Sequence, residues 1–199
     1  MVAELEELLV RDAAQWRAWL EEHHAGSPGV WLVLHKKGGT VTELDYEAAL
    51  QEALCFGWID GQARRRDGES SFQRMTRRRP RSVWSARNVE RIGRLEAAGR
   101  MAPAGRAAVE SAKADGRWEA AYDGAASAQV PPDLAAAIAA EPRAQAMFDV
   151  LTSVNRYALI YRTNAVKQAA TRERKIAAFV EMLARHETPY PQTKRPAVP

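Results

Sequence analysis

The apolar positions of this chain change period several times, and each change marks an element. Over residues 4–22, Leu5, Leu8, Leu9, Trp16, Trp19 and Leu20 recur at helical spacing before the breaker run Gly26, Ser27, Pro28, Gly29, which predicts an N-terminal helical region. Val30 to His35 is a continuous β-branched and aromatic run that reads as a buried strand, closed by Lys36, Lys37, Gly38 and Gly39. Asp45 then caps a helix whose Tyr46, Ala49, Leu50, Ala53 and Leu54 share one face, and Gly57 closes it in the left-handed conformation.

From Trp58 the period becomes two. Asp67-Gly68 separates two extended stretches, 58–66 and 69–76, as a hairpin turn does. Alternation then places Ile59, Gly61 and Ala63 inward and Trp58, Asp60, Gln62 and Arg64 on the other face. Past Pro80, Ser82 caps a helix through Gly99 that packs Val89, Ile92 and Leu95 inward and turns Arg87, Arg91 and Arg94 elsewhere. After Met101 the pattern is helical: Pro103 and Pro131-Pro132 open helices, Gly116 stops one, and others cover 142–152 and 163–185. The proline-rich, apolar-poor tail from Glu187 reads as disordered.

These elements predict an α+β fold: a small antiparallel or mixed sheet with a hairpin, wrapped by helices, and a helical C-terminal lobe. The expected organisation is an α/β lobe over 1–100, a helical lobe over 101–186 and the tail 187–199. Composition agrees with a soluble globular chain, with 46% hydrophobic and 27% charged residues. No run approaches the roughly 18 apolar residues of a membrane span, and the acidic start MVAELEELLV lacks signal-peptide character, so the expected location is the cytoplasm. The single cysteine, Cys55, excludes an intrachain disulfide and reads as a small buried hydrophobe. His23 and His24, adjacent on a helix, diverge by about 100° and do not face one ion, and neither metal nor cofactor is expected.

Charge alters this picture. Residues 61–106 hold thirteen arginines against Asp67, Glu69, Glu90 and Glu96, in a chain whose net charge is only +4. Such an excess raises encounter rates with anions. The same stretch carries Trp58, Phe72 and Trp84, and apolar rings among guanidinium groups suit an anionic or flat ligand. The candidate site is a groove formed by Trp58, Asp60, Arg77, Arg78, Arg79, Arg81 and Trp84, edged by Lys36 and Arg100. Its expected occupant is a small anionic or amphipathic ligand, and Asp60 is expected to pair with an arginine from 64–81. Two other functions fit the residues: a nucleic-acid-associated protein using the basic 61–106 face, and an enzyme centred on Asp60. Ser82 and Ser85 lack the glycine elbow and histidine partner of a nucleophile, and no phosphate-cradling glycine loop occurs.

The segments ALCFGWIDG at 53–61, RRPRSVWS at 78–85 with Asn88 behind it, GRM at 99–101, AKADGRW at 112–118 and ATRERKIAAFVEML at 170–183 together resemble the YdeI/OmpD-associated family, also called bacteriocin-protection proteins. The resemblance spans nearly all of the chain before the tail. It implies a cytosolic-type α+β domain with a helical C-terminal part, and an association with tolerance of antimicrobial peptides or stress. It implies no reaction, ligand or cofactor. Relatives usually read Thr-Pro-Arg after the hairpin where this chain has Thr76-Arg77-Arg78, which softens the bend expected there.

Overall fold

The computed structural model describes residues 5–124 and 128–197; residues 1–4, which include the first position of the expected opening helix, and residues 198 and 199 of the expected tail lie outside these. The fold is α+β. Its first unit, Met1–Ala121, contains β1 (Glu6–Leu8), α1 (Ala13–His23), β2 (Val30–His35), α2 (Tyr46–Cys55), β3 (Trp58–Arg65), β4 (Ser70–Arg77), α3 (Ala86–Ala97) and α4 (Pro103–Ala114). The second, Tyr122–Pro199, contains α5 (Pro132–Ala139), α6 (Pro142–Asp149), α7 (Ser153–Asn164) and α8 (Ala169–Ala184). The division falls after Ala121 rather than after residue 100, because Val109, Ala112, Trp118 and Ala121 pack into the core of the first unit.

The sheet is mixed, in the order β1-β2-β4-β3. Strand β1 runs parallel to β2, with Glu6 opposite Val30 and Leu8 opposite Leu32, while β4 runs antiparallel to both β2 and β3. A strand was not expected at Glu6–Leu8. Three residues are too few to show a period, and the first helix begins only at Ala13, where the Asp12 side chain accepts the Gln15 amide at 2.9 Å. The Asp45 cap is present, its side chain accepting the Ala48 amide at 2.8 Å, and Gly57 adopts φ +73°. The third helix is capped by Ser85 rather than Ser82, whose hydroxyl instead accepts the Arg79 amide and closes the turn ahead of the helix.

Up to Asp60, which lies opposite the core residue Met75, the face assignment of β3 is reversed from expectation, whereas Ala63 opposite Gln73 and Arg64 opposite Phe72 keep the expected faces. Trp58 is fully buried, 0% exposed, whereas Gly61 and Ala63 are exposed. Two causes act together. The indole finds a large apolar partner in α1, with Trp16 and Trp19 edge-on to it at ring centroids of 6.2 and 5.7 Å, and its N–H donates to the His24 carbonyl at 3.1 Å. A bulge between Asp60 and Ala63 then breaks the alternation. The buried Gln73 amide donates to the Gly61 carbonyl at 2.9 Å, replacing a ladder bond that the bulge removes.

One face of the sheet (Val30, Leu32, Leu34, Met75) joins α1, α2, α3 and α4 in a single core with Leu20, Leu50, Leu54, Ile92 and Leu95. The second unit has its own core of Leu134, Ile138, Met147, Leu159, Ile176, Phe179 and Leu183. The expected helix over 142–152 ends at Asp149, and the expected helix over 163–185 is preceded by a separate one, because Thr152 caps α7. The expected disordered tail is instead tied to α7 through Asn155, whose amide accepts the Tyr190 N–H at 2.8 Å and donates to the Tyr190 carbonyl at 3.0 Å.

Candidate functional site

The nine residues of the expected groove do not converge on one open site. Trp58 belongs to the tryptophan cluster of the core. Lys36 donates to the Asp67 carbonyl and ties the end of β2 to the hairpin turn. Arg77 reaches back to the Ala25 carbonyl at 3.0 Å. Arg100 is spent on Glu52 and on the Gln51 side chain, the latter at 3.2 Å.

Arg78 and Trp84 do meet. The Arg78 guanidinium carbon lies 3.5 Å from the centroid of the Trp84 ring, and its Nη1 donates to the Val83 carbonyl at 3.0 Å. Trp84 belongs to the core of the first unit, where Trp118 meets its ring edge-on at 4.9 Å. Trp84 is 2% exposed, so its ring packs beneath Arg78 instead of offering a free face, and its indole N–H has no hydrogen-bond partner among the described residues. Arg117, beside Trp118, donates to the Ser82 carbonyl at 3.0 Å and fixes this loop from α4's far end. Trp118 ends the AKADGRW segment, but nothing in the sequence joins it to Trp84, because it lies beyond the hairpin in a turn with no period.

Among the described residues Asp60 forms no ion pair with an arginine from 64–81, contrary to expectation. Its carboxylate accepts the Tyr46 hydroxyl at 2.8 Å, since the N-terminal turn of α2 lies against β3. Burial and then this bond push the Tyr46 phenol well above its ordinary pKa. The adjacent Glu47 is held by Arg91 in a two-pronged pair, Nε to Oε1 at 2.8 Å and Nη2 to Oε2 at 2.6 Å, and Arg91 also donates to Asn88 at 3.1 Å. The Arg91 bond is the main cause that lowers the Glu47 pKa to about 2. Arg91 thus faces α2, and the arginine stripe expected on α3 is broken. Through these bonds Asp60 ties β3 to α2 and Glu47 ties α2 to α3.

The internal pairs use up part of the positive charge: Arg64–Glu7, Arg66–Asp67, Arg91–Glu47, Arg94–Glu90 and Arg100–Glu52. Arg65, Arg79, Arg81 and Arg87 are exposed and have no side-chain ion pair among the described residues. Three of these flank the Arg78–Trp84 stack in sequence. The acid-free first turn of α3 follows, adding its positive end to the same segment.

In the second unit, Asp133, Ala137, Ala169, Arg172, Glu173, Ile176 and Ala177 line an open cleft of about 430 Å³ between α5 and α8. Arg172 closes one end by bonding Asp133 and the Thr163 carbonyl, the latter at 2.7 Å. Among the described residues, no group of three or more His, Cys, Asp or Glu could hold a metal ion, and no helix is long and apolar enough to cross a membrane.

Residues 8–108, just over half of the 199, match a domain of unknown function, DUF8412. The chain belongs to that family. Residues 127–186, covering α5 to α8, match the family described as bacteriocin-protection, YdeI or OmpD-associated. The resemblance to that family therefore holds for the helical second unit, where the 170–183 segment lies. The segments at 53–61, 78–85 and 99–101 fall instead within the DUF8412 match. No curated protein and no solved structure matches the chain.

Proposed function

We propose that this chain is a non-enzymatic, cytoplasmic binding protein that takes an anionic or amphipathic ligand on the arginine segment 77–87 and contributes to bacteriocin or stress tolerance. The observation that carries this function is the Arg78–Trp84 stack at 3.5 Å with exposed, ion-pair-free Arg79, Arg81 and Arg87 around it. The stack pins the segment that carries Arg79, Arg81 and Arg87, so less conformational freedom is lost when an anion meets those three exposed guanidinium groups. The neighbouring cations supply charge that no acid of the described chain neutralises. Trp58 is no part of this site, and the ligand meets the exposed Arg79, Arg81 and Arg87 rather than the buried Trp84 indole.

The description of the C-terminal family, bacteriocin protection, gives the proposal its physiological side. The protein acts by sequestering a ligand rather than by converting it, since Asp60, the acid singled out for chemistry, is occupied by Tyr46. Calorimetric titration with dodecyl phosphate, against dodecyl maltoside as the uncharged control, tests the binding. The phosphate should bind and the maltoside should not, and an Arg79→Ala/Arg81→Ala/Arg87→Ala variant should bind roughly tenfold more weakly or worse, given the strength of charge-assisted bonds. Equal binding by that variant, or no binding of the phosphate by the wild type, would rule the site out. Cells lacking the protein, challenged with a bacteriocin and complemented by either form, test the physiological link.

A further inference from the structure

The face of the sheet turned away from the helices has its own cover. Residues directly opposite one another in a ladder share a face, and residues two apart along a strand do too. Glu7 lies opposite Trp31, Trp31 opposite Arg74, Val33 opposite Phe72, and Phe72 opposite Arg64, so all six side chains share the outer face. Val33 and Phe72 are nevertheless 2% and 6% exposed while belonging to neither apolar core. Arginines cover the two rings of this face. The Arg64 guanidinium carbon is 4.2 Å from the Trp31 ring centroid and 4.5 Å from that of Phe72, Arg66 stands 5.8 Å from Phe72, and the Arg74 stem packs against Gly61 at the bulge.

Trp31 and Phe72 sit on the two central strands, with ring centroids 6.5 Å apart. Their planes cross at 66°, so the two rings form a notch flanked by cations, and such a notch suits one flat, unpaired base. Arg64 marks the position: its planar cation already sits over both rings within cation–π distance. It is held there by one bond to Glu7, at 2.7 Å, between side chains that are 45% and 58% exposed. An exposed pair of that kind is weak, so Arg64 can give up the ring to a base and take its phosphate instead.

We propose that the outer face of the sheet binds single-stranded nucleic acid, with one base in the notch between Trp31 and Phe72 and Arg64 and Arg66 on the neighbouring phosphates. Single strands fit better than duplex because paired bases are stacked on one another and cannot reach rings recessed among arginine stems. An acidic peptide satisfies the charges but leaves the rings without a flat partner.

Fluorescence anisotropy with labelled dT12 and rU12 at 50 mM salt, against a hairpin duplex of equal charge and against polyglutamate, tests this on the full chain. Both single strands should bind more tightly than the duplex and the polyglutamate, and Trp31→Leu and Arg64→Gln should each weaken binding roughly tenfold. Arg79→Ala/Arg81→Ala, which bears on the other proposed site, should change it by less than about twofold, within the loss of two distant screened charges. In case Trp31→Leu disturbs the fold, ultraviolet cross-linking of a 4-thiouridine oligonucleotide to the wild-type protein should label peptides containing residues 30–36 or 70–77. Absence of binding, equal affinity for the duplex or for polyglutamate, or cross-links confined to 79–87 would each overturn the inference.

Discussion

Arg17 donates to Glu52 across the interface of α1 and α2, Nη1 to Oε2 at 2.9 Å, and thereby pairs a carboxylate that the fold has almost wholly removed from water. Arg100 takes the other oxygen of Glu52, while Nη2 of Arg17 donates to the Arg100 carbonyl at 3.2 Å. Gln51 links this group to the next, accepting from Arg100 and donating to Glu47, so that one polar chain runs along α2 from Arg17 to Arg91. A buried carboxylate is tolerated only when such partners replace its hydration.

Removing that carboxylate leaves two guanidinium groups facing each other without a counter-charge. Glu52→Ala should lower the unfolding free energy by about 3 kcal/mol, measured by urea denaturation, because breaking a buried pair costs more than the pair itself contributes. Arg100→Ala should cost only about 1 kcal/mol, since Arg17 remains and the Arg100 side chain is in contact with water. A smaller loss for Glu52→Ala than for Arg100→Ala would show that Glu52 is not the centre of the network.

Glu47 makes stability depend on pH in a defined direction. Chiefly because of Arg91, its folded pKa is about 2 against an ordinary 4.5. The folded state therefore holds the proton less readily than the unfolded one, and the stabilisation is complete above about pH 5 and lost as pH falls towards 2. In Arg91→Met the Glu47 carboxyl should titrate near its ordinary value by NMR, and the fall in stability between pH 5 and 2 should become shallower. An unchanged Glu47 titration in that variant would refute Arg91 as the cause.

Two helical glycines should respond oppositely to the same substitution. Gly93, on the exposed side of α3, has no atom within 4 Å of where a Cβ would stand, so Gly93→Ala should stabilise by about 0.5–1 kcal/mol through helix propensity alone. At Gly105 the new Cβ would collide with the Cys55 carbonyl, the same oxygen that accepts the Ala102 amide at the start of α4. Backbone cannot rotate aside as a side chain can, and Gly105→Ala should cost on the order of 2–3 kcal/mol. Thermal unfolding of both variants decides the matter; a stabilised Gly105→Ala would mean that α4 does not approach α2 so closely.

What the sequence disclosed, and what it hid, divides along the range of the interaction. Asp45, Gly57, Pro103 and Pro132 act on their own backbone within a few residues, and the elements they bound were legible. The hairpin was legible for the same reason, as Asp67 closes its own turn by accepting the Ser70 amide at 2.7 Å. The partners of Asp60, Trp84 and Arg91 were not. Tyr46, Trp118 and Glu47 are distant in sequence, and nothing in a period of two or 3.6 selects one arginine or hydroxyl over another. Trp31 and Phe72 were visible as strand residues, but that their face is roofed by arginine stems follows only from the register of three strands.

The tail gives the sharpest test of a correction. Its prolines and polar residues gave no reason to expect order, yet Asn155, 1% exposed, supplies both halves of a strand-like bond to Tyr190 and donates to the Gln192 side chain at 2.8 Å. Gln192 in turn accepts the Thr152 amide at 3.1 Å, one of the donors left open at the start of α7. The tail therefore completes the N-terminus of a helix, and one side chain governs it. Asn155→Ala should destabilise the second unit by about 2 kcal/mol, because the polar backbone of Tyr190 loses its partner and a cavity replaces the amide. The segment from Glu187 to Ala197 should at the same time become open to limited proteolysis. Asn155→Asp separates the two roles, since it can still accept from Tyr190 but no longer donate, and it should expose the tail to an intermediate degree. Equal cleavage of the tail in wild type and Asn155→Ala would mean that Asn155 does not hold it.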